Sequence, residues 1–241
     1  MTSHAPAVDA LALAAHRDDI EITCGGLLIK LAGLGYKTGI VDFTAGEMGT
    51  RGTAEERAAD AEAAAKIMGI TCRENLRMPD AKLENTLANR MTVASVIRRL
   101  RPRLVILPHR EQRHPDHRVA SEIAYDACFL AGLKKLDLDG EPHRPHKILY
   151  SAFSRQPPFS FIVDITRQID RKLEAVRAYT SQFGTKEGAA SIYQPGVDIF
   201  ELITIDARRM GQLIRKPYAE AFVIREAIEI DDPMIMSVAS I

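Results

Sequence analysis

An apolar run that ends in a cluster of ionisable side chains constrains this chain more than any other feature. Ala10-Leu-Ala-Leu-Ala-Ala15 leads directly into His16-Arg17-Asp18-Asp19, and Gly25-Gly26 and an amphipathic stretch from Leu27 follow. The succession reads as strand, polar turn and helix. In open α/β sheets, ligands bind just beyond the carboxyl ends of the strands. A second apolar run, Leu104-Val-Ile-Leu-Pro108, precedes His114-Pro115-Asp116-His117. Two strand ends, each topped by His and Asp, point to one metal site assembled from two loops.

The rest of the chain repeats this alternation. Strands are expected over residues 9–15, 37–44, 72–78, 103–107, 148–153 and 161–165, with a last one inside 221–230. Helices are expected over 26–34, 54–68, 85–100, 117–131, 167–179 and 199–214. Thr53 followed by Glu56 is a capping-box pattern for the second helix, and Gly69 suits its left-handed end. Strands alternating with helices predict an α/β, Rossmann-like fold: a mostly parallel sheet with helices on both faces. The C-terminal part is expected to pack over the active edge. No linker or change of composition divides residues 1–241, so one domain is expected. The Gly-, Ser- and Thr-rich stretch 182–196 reads as a loop able to close over the site.

Charge narrows the partners. Thirty-two Lys and Arg balance 32 Asp and Glu, a net charge of zero that leaves no footprint for nucleic acid or an anionic membrane surface. The basic run Arg98-Arg99-Leu-Arg101-Pro-Arg103 suits a solvated helix end. No uncharged apolar stretch reaches the length of a membrane span, and no basic segment followed by a long apolar run opens the chain. Cys24, Cys72 and Cys128 are odd in number and widely spaced, as expected of reduced thiols in the cytoplasm.

Catalytic zinc usually takes three protein ligands and keeps one position for water. His16 and Asp19, three residues apart on one turn, supply two ligands, and one histidine of the second cluster completes the set. Asp18 is then free as general base toward metal-bound water. The other histidine can face the substrate as a cation and stabilise a developing oxyanion, with Asp116 orienting it and holding it protonated. Each residue also has an ordinary structural reading. Asp18, Asp19 or Asp116 alone would most often cap a helix, and Glu21 complements a helix start. Two His and one carboxylate also form the facial triad of non-haem Fe(II) oxygenases, although those sites commonly sit in β-barrels. A cofactor-binding Rossmann module is a third reading, but the spacing around Gly25-Gly26 is not G-x-G-x-x-G.

Ala15-His16-Arg17-Asp18-Asp19-Ile20-Glu21 resembles the AHPDD signature of the PIG-L/LmbE-like zinc N-deacetylases, and His114-Pro115-Asp116-His117 matches that family's second motif. The likeness also takes in Gly52-Thr53 with Arg57, Met78-Pro79-Asp80, Arg113, Ser181-Gln182-Phe183 and Tyr218-Ala219-Glu220. Within the family it is strongest to the bacillithiol-pathway deacetylases of N-acetyl-glucosaminyl-malate. The resemblance implies that His16, Asp19 and His117 bind Zn2+, with Fe2+ or another divalent ion as the alternative. It makes Asp18 the general base. His114 becomes the oxyanion stabiliser or proton donor, oriented by Asp116, and Arg57 a substrate ligand suited to a malate carboxylate. It implies a GlcNAc conjugate as substrate, a malate conjugate or another such as a chitooligosaccharide or a mycothiol-type precursor. A cytoplasmic homo-oligomer, with a hexamer among its forms, is part of the same expectation. Two departures stand out. Arg17 replaces the usual Pro or Ala, and Ala81 stands where the pattern has Arg.

Overall fold

Strand β1 (Ala10–Ala14) is buried along its whole length, which explains why it lacks polar alternation. Leu11 and Leu13 face one core, and Ala12 and Ala14 face another. The computed structural model describes residues 7–153, 157–184 and 197–238. Around β1 stand β2 (Thr38–Thr44), β3 (Cys72–Met78), β4 (Leu104–Pro108), β5 (Lys147–Ser151), β6 (Phe161–Asp164) and β7 (Ala219–Val223). They form one seven-stranded sheet in the order β3-β2-β1-β4-β5-β7-β6. The first five in that order run parallel, and β7 is antiparallel to both β5 and β6.

The helices are α1 (Asp19–Gly33), α2 (Ala54–Met68), α3 (Leu87–Leu100), α4 (Pro115–Ala131), α5 (Ile169–Arg177), α6 (Thr180–Phe183) and α7 (Ile199–Leu213). Val93, Ile97 and Leu100 of α3 and Ile123 and Ala127 of α4 close one face of the sheet. Leu28 of α1, Met68 of α2, Val176 of α5 and Ile203 of α7 belong to the core on the other face. Chain order runs outward from β1 to β3 on one side and resumes at β4 on the other. The crevice between the carboxyl ends of β1 and β4 is therefore the topological switch point, where such sheets bind ligands.

Most expected elements appear within a few residues of their predicted bounds. The capping box forms as read: Glu56 N–H donates to Thr53 Oγ1 at 3.1 Å and Thr53 N–H to Glu56 Oε2 at 2.7 Å. Gly69 closes that helix at φ 76°. The first helix differs. It begins at Asp19 rather than Gly26, and Gly25-Gly26 follow a kink at Cys24 (φ −142°, ψ 18°). Beyond the kink, Gly26 and Leu27 N–H donate to the two carboxylate oxygens of Glu220 at 2.8 and 2.7 Å. Lys172 Nζ donates to the same carboxylate at 2.7 Å. A Cβ on residue 26 would lie 2.7 Å from Glu220 Oε1, so this glycine is what admits the cap. Of the expected loop 182–196, Gln182 and Phe183 close α6, and residues 185–196 lie outside the described residues.

Glu220→Ala removes the cap and leaves Lys172, buried at 3% exposure, without its partner. Breaking a buried pair in this way costs about 3–5 kcal/mol. Urea unfolding should show a loss of that size, and a smaller one for Glu220→Gln, which keeps an acceptor oxygen. A loss under about 1 kcal/mol for Glu220→Ala, the range of a surface ion pair, would contradict the capping role.

Candidate active site

Three loops meet at the switch point. The β1–α1 turn carries His16, Asp18 and Asp19. The segment after β3 brings Asp80 and Ala81, and the start of α4 brings His114, Asp116 and His117. All but Asp116 line a cavity of about 310 Å³, together with Arg57 of α2 and Gln182 of α6. A larger groove of about 1080 Å³, bounded by residues such as Tyr125, Phe129, Ile148 and Ile228, shares none of these residues.

Asp19 is the hinge of the cluster. Its Oδ2 accepts from the His16 backbone N–H at 2.9 Å and lies 3.4 Å from His16 Nδ1. Its Oδ1 lies 3.1 Å from His117 Nε2. Ligand bonds of about 2.0–2.1 Å at tetrahedral angles put neighbouring donor atoms about 3.3 Å apart. Two of the spacings among His16, Asp19 and His117 are of that size, one on each oxygen of the Asp19 carboxylate. His16, His114 and His117 also offer one nitrogen each, all within 4.8 Å of one another, as do His16, Asp80 and Asp116 with their ring nitrogen and carboxylate oxygens.

The second nitrogen of His16 is already engaged. His16 Nε2 meets Asp80 Oδ1 at 3.1 Å and lies 3.6 Å from Asp116 Oδ2, which leaves Nδ1 as the nitrogen turned to Asp19. A carboxylate on the outer nitrogen fixes a histidine's tautomer and ring orientation. Asp80 also accepts from Met48 N–H at 3.0 Å and so ties the 46–52 loop to the cluster. The carboxylate of Asp116 accepts from Ala81 N–H at 2.8 Å. It is the backbone N–H of Asp116, not its carboxylate, that meets His114, donating to Nδ1 at 3.2 Å. His114 is thus the N-cap of α4, and its Nε2 carries the proton of the neutral ring.

Charge follows this geometry. Burial raises Asp19, but His117 and His16 outweigh it and hold the carboxyl well below the usual carboxylate range. Burial opposes a charged His16, yet Asp19, Asp116 and Asp80 raise its pKa well above 6.5. The hydrogen bond to His16 brings Asp80 down to about 2. Burial lowers His114, and the neighbouring His16 and His117 lower it further against the weaker pull of Asp116, favouring a neutral ring rather than the expected cation.

Arg57 and Asp18 complete the wall. Arg57 Nη2 lies 3.9 Å from Asp18 Oδ2, and Nη1 donates to Gly46 O at 2.7 Å. A Cβ on Gly46 or Gly49 would come within 2.4 or 2.5 Å of Nη1, so the glycine loop is the cradle of this guanidinium. The Arg17 side chain leaves the cavity and donates to Ala54 O at 2.6 Å. Ala81 sits at φ 59°, its N–H engaged by Asp116 and Asp80. Arg73, Asp42 and Tyr179, all beneath the turn, were not among the expected site residues. The signals for the first two were charges set in strands: Asp42 within Gly-Ile-Val-Asp-Phe and Arg73 at the start of β3.

Fold and site together define a Rossmann-like α/β protein with a His/Asp cluster at its switch point. A family model described as PIG-L, GlcNAc-PI de-N-acetylase, matches residues 11–128, which include both motifs and Arg57. The diacetylchitobiose deacetylase of Thermococcus kodakarensis is 31% identical over 190 residues, 72% of this chain and 69% of that protein. The chain belongs to the PIG-L deacetylase family. The crystal structure of the conserved protein TT1542 from Thermus thermophilus matches with a TM-score of 0.84 at 38% identity, over 93% of this chain and 98% of that one. The N,N'-diacetylchitobiose deacetylase of Pyrococcus horikoshii shares the fold, with a TM-score of 0.78 at 24% identity, over 91% of this chain and 83% of that one. These relatives do not favour the Fe(II) oxygenase reading. No helix among the described residues is long and apolar enough to cross a membrane.

A histidine with a raised folded pKa stabilises the fold fully below its unfolded value and loses that contribution as pH rises through the folded one. For His16 the loss begins above about pH 6.5. Urea midpoints of metal-free protein should fall with rising pH across that window, and His16→Asn should flatten the fall. An identical slope in the variant would contradict the raised pKa.

Proposed function

We propose that this protein is a metal-dependent N-deacetylase of a GlcNAc conjugate, with N-acetyl-glucosaminyl-malate as its substrate. The observation that carries the chemistry is the division of labour between adjacent carboxylates. Both line the cavity, but Asp19 contacts His16 and His117, while Asp18 is bonded to neither and lies 3.9 Å from Arg57. His16, Asp19 and His117 are the residues that would hold the cation. A divalent ion bound there polarises the acetamide carbonyl and lowers the pKa of water toward neutrality.

The protein's own groups move the protons. Asp18 takes a proton from water as the water oxygen bonds to the acetamide carbon. His114 Nε2–H donates to the oxygen that gains charge, as a neutral donor that needs no imidazolium. The C–N bond then breaks, the nitrogen takes up the proton held at Asp18, and acetate and the free amine leave. In the alternative assignment His114 donates instead to the departing nitrogen.

Arg57 supports the malate reading. Its side chain is 7% exposed, its Nε has no hydrogen-bond partner among the described residues, and Gly46 and Gly49 hold it at the cavity wall. A guanidinium so placed suits a carboxylate of the substrate. Ala81, also in the cavity lining, adds no long side chain there. The same reading carries a cytoplasmic homo-oligomer loaded with Zn2+ or Fe2+, which light scattering and metal analysis of purified protein would check.

Acetate release should be measured on N-acetyl-glucosaminyl-malate, N,N'-diacetylchitobiose and free N-acetylglucosamine. Chelation should abolish activity and Zn2+ restore it, and Asp18→Asn should lower kcat by about 10²–10⁴, the range of a general base. Preference for the malate conjugate supports the substrate assignment. Preference for diacetylchitobiose would overturn it and keep the chemistry. Arg57→Lys should raise KM for the malate conjugate by about tenfold, the worth of a charge-assisted hydrogen bond, and leave KM for diacetylchitobiose little changed. Equal effects on both substrates would contradict a carboxylate-binding role.

A further inference from the structure

We infer that Arg73 and Tyr179 are positioning residues for the Asp18–Asp19 pair, acting by a shared grip on the backbone carbonyl of Arg17. The inference rests on the metal-site reading above. Arg17 separates His16 from Asp18, so its carbonyl lies inside the turn that aims all three side chains. Arg73 Nη2 and Tyr179 Oη both donate to that one oxygen, from β3 and from the link between α5 and α6. The Arg17 side chain is fixed on the other side, on Ala54 O. Residue 17 is therefore held through both its main chain and its side chain.

The grip is itself held rigid. Arg73 Nε and Nη2 make a forked pair with Asp42 at 2.8 and 3.0 Å, and Nη1 meets Glu21 at 2.6 Å and Ala61 O at 3.2 Å. Tyr179 Oη lies 3.0 Å from the same Glu21 oxygen. Glu21, Asp42 and Tyr179 are essentially sealed from solvent, and the Arg73 side chain is 10% exposed. Buried ionic clusters of this kind are poor sources of stability, because desolvation offsets attraction. One oxygen of Glu21 is buried with no partner among the described residues. An apolar filling would suit stability as well. What an apolar filling lacks is donors aimed at a loop carbonyl, and these set where Asp18 and Asp19 stand.

The test uses Co2+, whose visible absorption reports its coordination. Wild-type protein, Tyr179→Phe, Arg73→Lys and a stability control, Val93→Ala in the opposite core, are compared for thermal stability, Co2+ affinity by chelator competition, and spectrum. Loss of a group that orients metal ligands typically lowers metal affinity 10- to 100-fold. Tyr179→Phe and Arg73→Lys should show a loss of that order and an altered spectrum, while Val93→Ala loses stability but keeps wild-type affinity and spectrum. Wild-type affinity and spectrum in folded Tyr179→Phe, whatever its stability, would overturn the grip and leave the metal site standing. Failure of the wild type itself to bind Co2+ would overturn the metal-site reading, and the grip with it.

Discussion

One carboxylate joins the two halves of this site. Asp19 reaches His16 on its own turn and His117 on a helix whose strand comes some ninety residues later in the chain. Both histidines hold its proton off, and it in turn holds His16 charged in the metal-free protein. Every other part of the cavity is placed relative to this contact. Asp80 fixes the outer nitrogen of His16, His114 caps the helix that presents His117, and Arg57 stands against Asp18. An assembly of like and unlike charges this close is stable only when the loops that bear it cannot drift apart. The sheet meets that need, because β1 and β4 are directly paired in parallel just below the site.

The scaffold also carries polar groups deep inside, each with a definite task. Glu220 and Lys172 close the break in α1, so a helix that begins at the site turn continues past its kink into the core. Arg73, Asp42, Glu21 and Tyr179 lie under the turn on the same side of the sheet. Burial and Asp42 push Glu21 up to about 7 despite its contact with Arg73, a sign of how costly the arrangement is. These groups connect distant strands and helices to a few backbone atoms at the site.

Much of this was legible in the chain itself. The short apolar run of β1 announced a strand, and Thr53 with Glu56 announced the helix that delivers Arg57. Two His/Asp clusters at strand ends located the site because topology alone brings such ends together in a parallel sheet. What was not legible depended on partners remote in sequence. Gly25-Gly26 read as a helix start because Glu220, the group that caps them, lies 194 residues away from Gly26. Asp116 read as the orienter of His114, but the turn at Ala81 claims its carboxylate, and local sequence does not show that turn's geometry. Arg17 read either as a charge beside the metal turn or as a side chain pointing outward, and Ala54, remote in sequence, draws it outward.

The central claim is that His16, Asp19 and His117 together hold the catalytic cation. Crystals of the zinc-loaded protein, with anomalous difference density recorded at the zinc edge, test it directly. The account predicts one peak within bonding distance of His16 Nδ1, the Asp19 carboxylate and His117 Nε2, with Asp80 still on His16 Nε2 and Asp18 uncoordinated. A peak held by Asp80 and Asp116, or one bound to His114 in place of Asp19, would contradict it.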